Sequence, residues 1–289
     1  MSNSAPDSSD KLAPVPDPGV DAHVHVMPDG LMQAIRGALD DAAGWTFDHP
    51  TAPDAIEDRL AAAGVERFFA LPYAHKPGIA TELNEWVLEQ AADSERAIPF
   101  ATVHGDDDVE AVVSTAVDAG ARGLKFQCPV QGCGPADPRL DPAFELATAH
   151  DLPIVFHAGT APMFEESPHV GADQFESFLE SYPDVRVCAA HMGAYEVDAF
   201  LAFARDYENV YLDTTVAMAS VAPAVIDFDP ATISDDVLEE LSASIMYGSD
   251  YPNIPYPYAR EREHLLSRSL SPETRRDLFG RTAERFLGE

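Results

Sequence analysis

Short runs of β-branched and aromatic residues alternate along the chain with longer stretches in which apolar residues recur every three or four positions. That is the rhythm of repeated strand-helix units around a parallel sheet. Eight strands are expected: GVDAHVHV from Gly19, ERFFALP from Glu66, AIPFATV from Ala97, RGLKF from Arg122, PIVFHA from Pro153, VRVCAAH from Val185, NVYLDT from Asn209 and SIMYGSD from Ser244. Between them lie helical patterns such as DAIEDRLAAAG, ATELNEWVLEQAAD, DDVEAVVSTAVDAG, AFELATAH, QFESFLESY and VDAFLAFARDY. Several open on Asp or Thr or close on Gly, ordinary start and stop signals. The segments after Met27 and after Val216 read as loop insertions with short helices, and closing helices follow from Pro255 to Gly288.

Eight parallel strands with right-handed crossovers close naturally into a barrel, and 289 residues suit one such domain. The expected fold is therefore α/β, a single-domain (β/α)8 TIM barrel over residues 18–289. An open doubly wound sheet competes less well, because no glycine-rich phosphate loop follows the first strand. Residues 1–17, rich in Ser, Asp and Pro, read as a flexible acidic leader that ends near Pro18 and does not resemble a secretory signal.

Fifty acidic residues face 18 basic ones, for a formal net charge of −32, and Lys11, Lys76 and Lys125 are the only lysines. Such a field repels phosphate backbones and anionic lipid surfaces, so neither nucleic acid nor a membrane is an expected partner. The acidity is spread over the chain, a pattern resembling proteins of salt-loving cells. Cys128, Cys133 and Cys188 form neither an even disulfide framework nor a close metal-binding pair, which fits a reducing cytoplasm.

Candidate chemistry begins at His23 and His25. Residues two apart on a strand share a face, so DAHVHV directs two imidazoles together into the barrel, a fork for a cation of the zinc class. Alone, the pair fits a hydrogen-bonded core pair equally well. Lys125, His157, His191 and Asp250 change the balance, for they follow the fourth, fifth, sixth and eighth strands, and strand carboxyl ends meet on one rim of a barrel. Tyr73, His75, His104, Thr214 and Thr215 also follow strands; Tyr73, His104 and Thr214 are the candidate substrate contacts beside Lys125. His49, His150, His169 and His264 read as structural or exposed. The segment YPNIPYPYAR after Asp250 reads as a stiff wall or lid.

The motifs DAHVHV, GLKF, PIVFHAG, VRVCAAHMG, YGSDYP and GRTAERFLG, in this order, resemble the amidohydrolase superfamily from Gly19 onward, most closely the amidohydrolase-related branch of metal-dependent hydrolases and decarboxylases. The resemblance implies one divalent metal on His23, His25, His157 and Asp250, zinc foremost, with manganese, iron or cobalt as alternatives. It further implies His191 as a catalytic or supporting residue and Lys125 as a fixed charge near the substrate. A carboxylated Lys125 bridging two metals is the variant arrangement. Homo-oligomers are common among such relatives. Two positions depart from the pattern: Ala194 stands where a second glycine is common, and Thr282 where Asn is frequent.

The expected activity is hydrolysis of an amide, lactone or ester of a small molecule by metal-activated water. Asp250 then moves the proton, and His191 and Lys125 stabilise the charge that develops. Decarboxylation of a small aromatic or unsaturated acid is the alternative; it calls for a clamp on the acid, with Arg36, Arg122 and Arg260 as candidates. A non-enzymatic metal-binding role is the third reading, and it predicts a closed coordination shell.

Overall fold

A computed structural model describes residues 14–161 and 163–289. In chain order the first half runs β1 (Val20–Val24), α1 (Asp29–Ala43), α2 (Pro53–Ala62), β2 (Arg67–Ala70), α3 (Ala80–Ala92), β3 (Ala97–Pro99), α4 (Val109–Asp118), β4 (Leu124–Phe126), α5 (Cys128–Gln131) and α6 (Asp141–Ala149). The second half runs β5 (Ile154–Phe156), α7 (Ala172–Ser181), β6 (Val187–Ala189), α8 (Val197–Asp206), β7 (Val210–Asp213), α9 (Ala222–Val225), α10 (Asp235–Glu240), β8 (Ile245–Met246), α11 (Ala259–Ser267), α12 (Pro272–Arg276) and α13 (Thr282–Leu287). All eight strands fall inside the expected segments.

The strands pair in parallel in the orders β1-β2-β3 and β4-β5-β6-β7-β8. Two seams join these arcs into a TIM barrel. Between β3 and β4, Ala101 donates to the Gly123 carbonyl at 2.9 Å and Lys125 donates to Ala101 at 2.8 Å. Between β8 and β1, Ala22 donates to Tyr247 at 2.9 Å, Asp250 to His23 at 2.9 Å and His25 to Tyr251 at 2.8 Å. The second seam ties the backbones of three expected site residues to one another.

Strand alternation sorts the apolar residues into two layers. Ala22, Phe69, Leu71, Ile98, Phe100, Val155, Cys188, Tyr211 and Met246 fill the barrel floor and pack on Phe286 and Leu287 of α13. Phe68, Phe126, Phe156, Val187 and Leu212 face outward into the helix layer. On β1 the pairing register slips between Asp21 and Val24. Ala22 belongs to the inner layer and Val24 to the outer one, so the slip lets His23 and His25 follow Ala22 inward while Asp21 turns outward to Tyr258.

The chain is already packed ahead of the boundary expected at Pro18: Val15 is buried and donates to the Ala63 carbonyl at 2.9 Å. Residues 1–13 of the expected leader lie outside the described residues. The segment after Met27 is more regular than a loop insertion, since α1 is a 15-residue helix capped by Gly44 in the left-handed region at φ 67°. Among the described residues no helix is long and apolar enough to cross a membrane.

Candidate metal centre

His23 and His25 leave β1 with one ring nitrogen each tied down. His23 Nδ1 lies 2.8 Å from Asp213 Oδ2, and His25 Nδ1 lies 2.8 Å from the Leu71 carbonyl. Both partners are acceptors, so each Nδ1 carries the proton and each Nε2 keeps a lone pair. Those lone pairs meet Asp250 Oδ1, at 3.5 Å from His23 Nε2 and 2.9 Å from His25 Nε2. The ligand atoms of His23, His25 and Asp250 all lie within 4.8 Å of one another. Two imidazole lone pairs and a carboxylate converging in a buried site repel one another until a cation joins them, and the donor set suits a divalent metal. The nearest positive group is Lys125, whose Nζ stands 3.5 Å from His23 Nε2.

Asp213, at the end of β7, organises this centre although the sequence reading passed over it. Besides His23 it accepts from the His191 backbone N–H at 2.9 Å and from the Thr215 hydroxyl. Burial raises its carboxyl, but the His23, His191 and Thr215 partners outweigh burial and hold it well below the ordinary value. It therefore remains an anion. Burial, helped by Lys125, pushes the His23 imidazole down to about 4, so the ring is neutral and available as a ligand. Asp250 follows the same logic as Asp213: burial raises it, and the neighbouring His25, His23 and His191 bring it well below the usual carboxylate range. Burial lowers Lys125 from its ordinary value, opposed by Asp213 and Asp250.

A directed chain of hydrogen bonds runs from Asp213 to His157. Thr215 donates to Asp213, so its Oγ1 accepts from His191 Nδ1 at 2.7 Å. His191 Nε2 is then an acceptor and faces His157 Nδ1 at 3.1 Å. His157 Nδ1 carries the proton, and its Nε2 lone pair is left over. That Nε2 is buried with no hydrogen-bond partner in the structure. His157 is thus outside the compact triad of His23, His25 and Asp250 but presents an orphaned donor atom beside it.

The backbone bends sharply to assemble these groups. His191 and Met192 adopt left-handed φ of 58° and 52°, and Asp250 has φ 58°. Glycine is required at 193, where φ is 76° and any Cβ would run into the Phe200 ring. Strain concentrated on the residues that carry the chemistry is a frequent mark of a functional site.

The triad opens into a cavity of about 510 Å³. Its barrel end is formed by His25, His157, His191 and Asp250; Tyr73, Gln127, Phe164 and Asn253 flank it; Leu31, Ile35 and Leu39 of α1 with Trp45 form the far wall. Tyr73 stands edge-on to His25, with ring centroids 5.3 Å apart. His75, set beside Tyr73 in the sequence reading, lines the rim.

Other expected contacts are elsewhere. His104 is held by its own loop, accepting from the Asp106 N–H at 3.2 Å, and Thr214 is fully buried with its hydroxyl accepting from Gly248 at 3.2 Å. Neither lines the cavity, because the strand ends turn their side chains to the flanking loops. The three arginines suggested as acid clamps are also engaged: Arg36 donates to the His49 and Pro252 carbonyls at 2.7 and 2.9 Å, Arg122 pairs with Glu289 at 2.9 Å, and Arg260 pairs with Glu263 at 2.5 Å. The Tyr-Pro segment is a wall: Tyr251, Ile254 and Tyr258 are fully buried, and Asn253 reaches the cavity.

The family described as Amidohydrolase matches over residues 20–288. The chain belongs to this family. No functionally curated protein matches it. Among solved structures, an uncharacterised TIM-barrel protein of Bordetella bronchiseptica aligns at a TM-score of 0.74 and 16% identity, over 93% of this chain and 98% of the other. A 5-carboxyvanillate decarboxylase of Novosphingobium aromaticivorans, bound to manganese and 4-hydroxy-3-methoxy-5-nitrobenzoic acid, aligns at 0.60 and 17% over 94% and 96%. A 2,6-dihydroxybenzoate decarboxylase of Rhizobium aligns at 0.63 and 15% over 96% and 99%. At these identities the likeness to solved structures bears on the fold.

Proposed function

We propose that this amidohydrolase-family chain is a metal-dependent decarboxylase of a small aromatic or unsaturated carboxylic acid. The observation that carries the reading is a largely apolar cavity that ends on a metal-ligating cluster of imidazoles and a carboxylate. The decarboxylases among its structural neighbours support the same choice. His23, His25 and Asp250 would hold the divalent ion, zinc or manganese, with His157 Nε2 as a further donor. When bound, the ion supplies the positive charge that anchors the substrate's acid end, which suits a cavity whose candidate arginines are all engaged elsewhere.

In this reading the bond between the substrate carbon and its carboxyl group breaks, the electron pair stays on carbon, and that carbon takes up one proton as carbon dioxide leaves. Asp250 and His191 line the cavity; Asp250, ionised at rest, takes the proton from solvent and hands it to that carbon, while His191, donating to Thr215 and accepting from His157, orients the neighbouring imidazole. Thr215 and Asp213 hold the His191 ring in orientation. Tyr73, whose hydroxyl burial keeps protonated, lines the cavity and is a hydrogen-bond donor for the substrate.

The hydrolysis suggested by the sequence is the second reading, and one observation favours it: Asp250 is an ionised carboxylate within the ligand cluster, the group that would take a proton from a metal-activated water. Product analysis separates the two. With zinc- or manganese-loaded enzyme, small aromatic acids are expected to release carbon dioxide, and Asp250→Asn and His191→Ala are each expected to lower kcat/KM by roughly 10²–10⁴-fold. Turnover of esters, lactones or amides without carbon dioxide from any acid would transfer the assignment to hydrolysis.

A further inference from the structure

We propose that the half of the cavity walled by α1 accepts only an uncharged, apolar substrate body, and that Ala34, Ala38 and Ala42 set the width available to it. The position of the acid end rests on the decarboxylase reading; the character of the far end does not.

The case begins with how α1 is used. This helix fully buries only Met32 and Arg36, while Leu31 and Ile35 are partly buried along the edge of the core. Met32 and Arg36 lie one turn apart on one face, and Arg36 is fixed there by the His49 and Pro252 carbonyls. Beside that face two rows of small and branched residues at helical spacing line the cavity: Leu31, Ile35 and Leu39 in the nearer row, the three alanines in the next. The part of these rows left uncovered by the core, Leu39 and the three alanines above all, is covered when a ligand arrives. At the other end the same cavity reaches His157, whose buried Nε2 has no hydrogen-bond partner and is the further donor to the metal.

Charge completes the argument. Among the described residues that line the cavity there is neither lysine nor arginine, and its ionisable side chains are Asp250, Tyr73 and four histidines. His25, His157, His191 and Asp250 sit at the barrel end, and His75 is on the exposed rim. A second carboxylate placed against Leu31, Ile35 and Leu39 would lose its hydration with no counter-charge, inside a chain whose net charge of −32 already opposes it. A flat ring with one acid group fits both ends.

Trp45 lines the α1 end and is one of two tryptophans, so ligand entry is readable as a change in its emission, independently of turnover. The full-length, metal-loaded chain is titrated with 2-naphthoate, naphthalene-2,6-dicarboxylate and 2-naphthamide, and the Trp86→Phe variant assigns the signal to Trp45. Saturable binding of 2-naphthoate is expected, with the dicarboxylate weaker by at least about tenfold. Ala38→Trp is expected to weaken 2-naphthoate by about tenfold and to leave benzoate unchanged, and Ala38→Arg to improve the dicarboxylate. Circular dichroism verifies that the exposed position 38 tolerates both changes. Equal binding of mono- and dicarboxylate, or no effect of Ala38→Trp on 2-naphthoate, overturns the proposal. If 2-naphthamide binds as well as 2-naphthoate and Ala38→Trp weakens both, the apolar wall is upheld and only the decarboxylase reading falls.

Discussion

At the scale of single residues, the centre depends on a carboxylate that is not itself a proposed metal ligand. Asp213 fixes the His23 tautomer through Nδ1, takes the Thr215 hydroxyl and the His191 N–H, and so sets the direction of every proton in the chain that leads to His157. Asp213→Asn keeps the shape but offers one acceptor oxygen in place of two, and its amide N–H₂ opposes one of those donors. Outer partners of metal-bound histidines typically contribute 10–100-fold to metal affinity, so a loss of about that size is expected in a zinc or manganese titration, with the fold intact by circular dichroism. Unchanged affinity would mean that His23 is not held for a metal. Glu261 gives a pH-dependent counterpart away from the centre. It is fully buried, accepts from the Val216 N–H at 3.1 Å and from the Tyr256 hydroxyl, and burial raises its carboxyl well above the ordinary value. The folded state therefore holds a proton that the unfolded chain releases, and stability falls as pH rises from the ordinary carboxyl value upward through the folded one. Glu261→Gln removes that dependence. Its Tm relative to the parent is expected to improve steadily between about pH 5 and about pH 8, and a constant difference would show that Glu261 is already ionised in the fold.

At the scale of elements, the turn after β6 shows what was gained by positioning His191. Four consecutive residues, His191 to Ala194, take positive φ there, and Ala194 at φ 46° and ψ −114° occupies a region suited to glycine. This is the position at which the sequence departs from the resemblance by lacking a second glycine. Ala194→Gly is expected to raise stability by about 1 kcal/mol, the relief of strain exceeding the added freedom of the unfolded chain, and denaturant unfolding measures it. A destabilised variant would show that Ala194 contributes more through packing than it loses through strain.

The same element explains which parts of the site could be read from the sequence. His23, His25, His157, His191 and Asp250 were legible because a barrel gathers strand ends, so five scattered residues share one address. Asp213 shares that address too, in NVYLDT, but one carboxylate among 50 acidic residues carries no contrast. His104 and Thr214 show the converse: following a strand does not decide whether a side chain faces the mouth or its own loop. The slip on β1 comes from pairing with β2, which no local pattern contains. For α1, Leu31, Ile35 and Leu39 have helical spacing, yet the sequence cannot say whether such a stripe faces a core or a cavity.

At the scale of the whole molecule, the acid excess exceeds what local pairing absorbs. Arg67 and Arg122 converge on Glu289, Arg139 is shared by Asp106 and Asp137, and Arg205 is taken by Glu240, so these guanidinium groups are spent in pairs, and 18 basic residues cannot pair with 50 acidic ones. Repulsion among surface charges acts over a screening length of about 10 Å at 0.1 M salt and about 3 Å at 1 M. Stability should then climb with ionic strength, the behaviour expected of a chain suited to concentrated salt, with Tm rising by roughly 5 °C or more between 0.1 M and 1 M potassium chloride. Salts also act by being excluded from protein surface, and sulfate does so far more than chloride. Comparing the two at equal ionic strength separates these causes: screening predicts most of the gain in chloride, below about 1 M, whereas a gain confined to sulfate would assign the effect to exclusion and leave the acidic surface without a stabilising partner in salt.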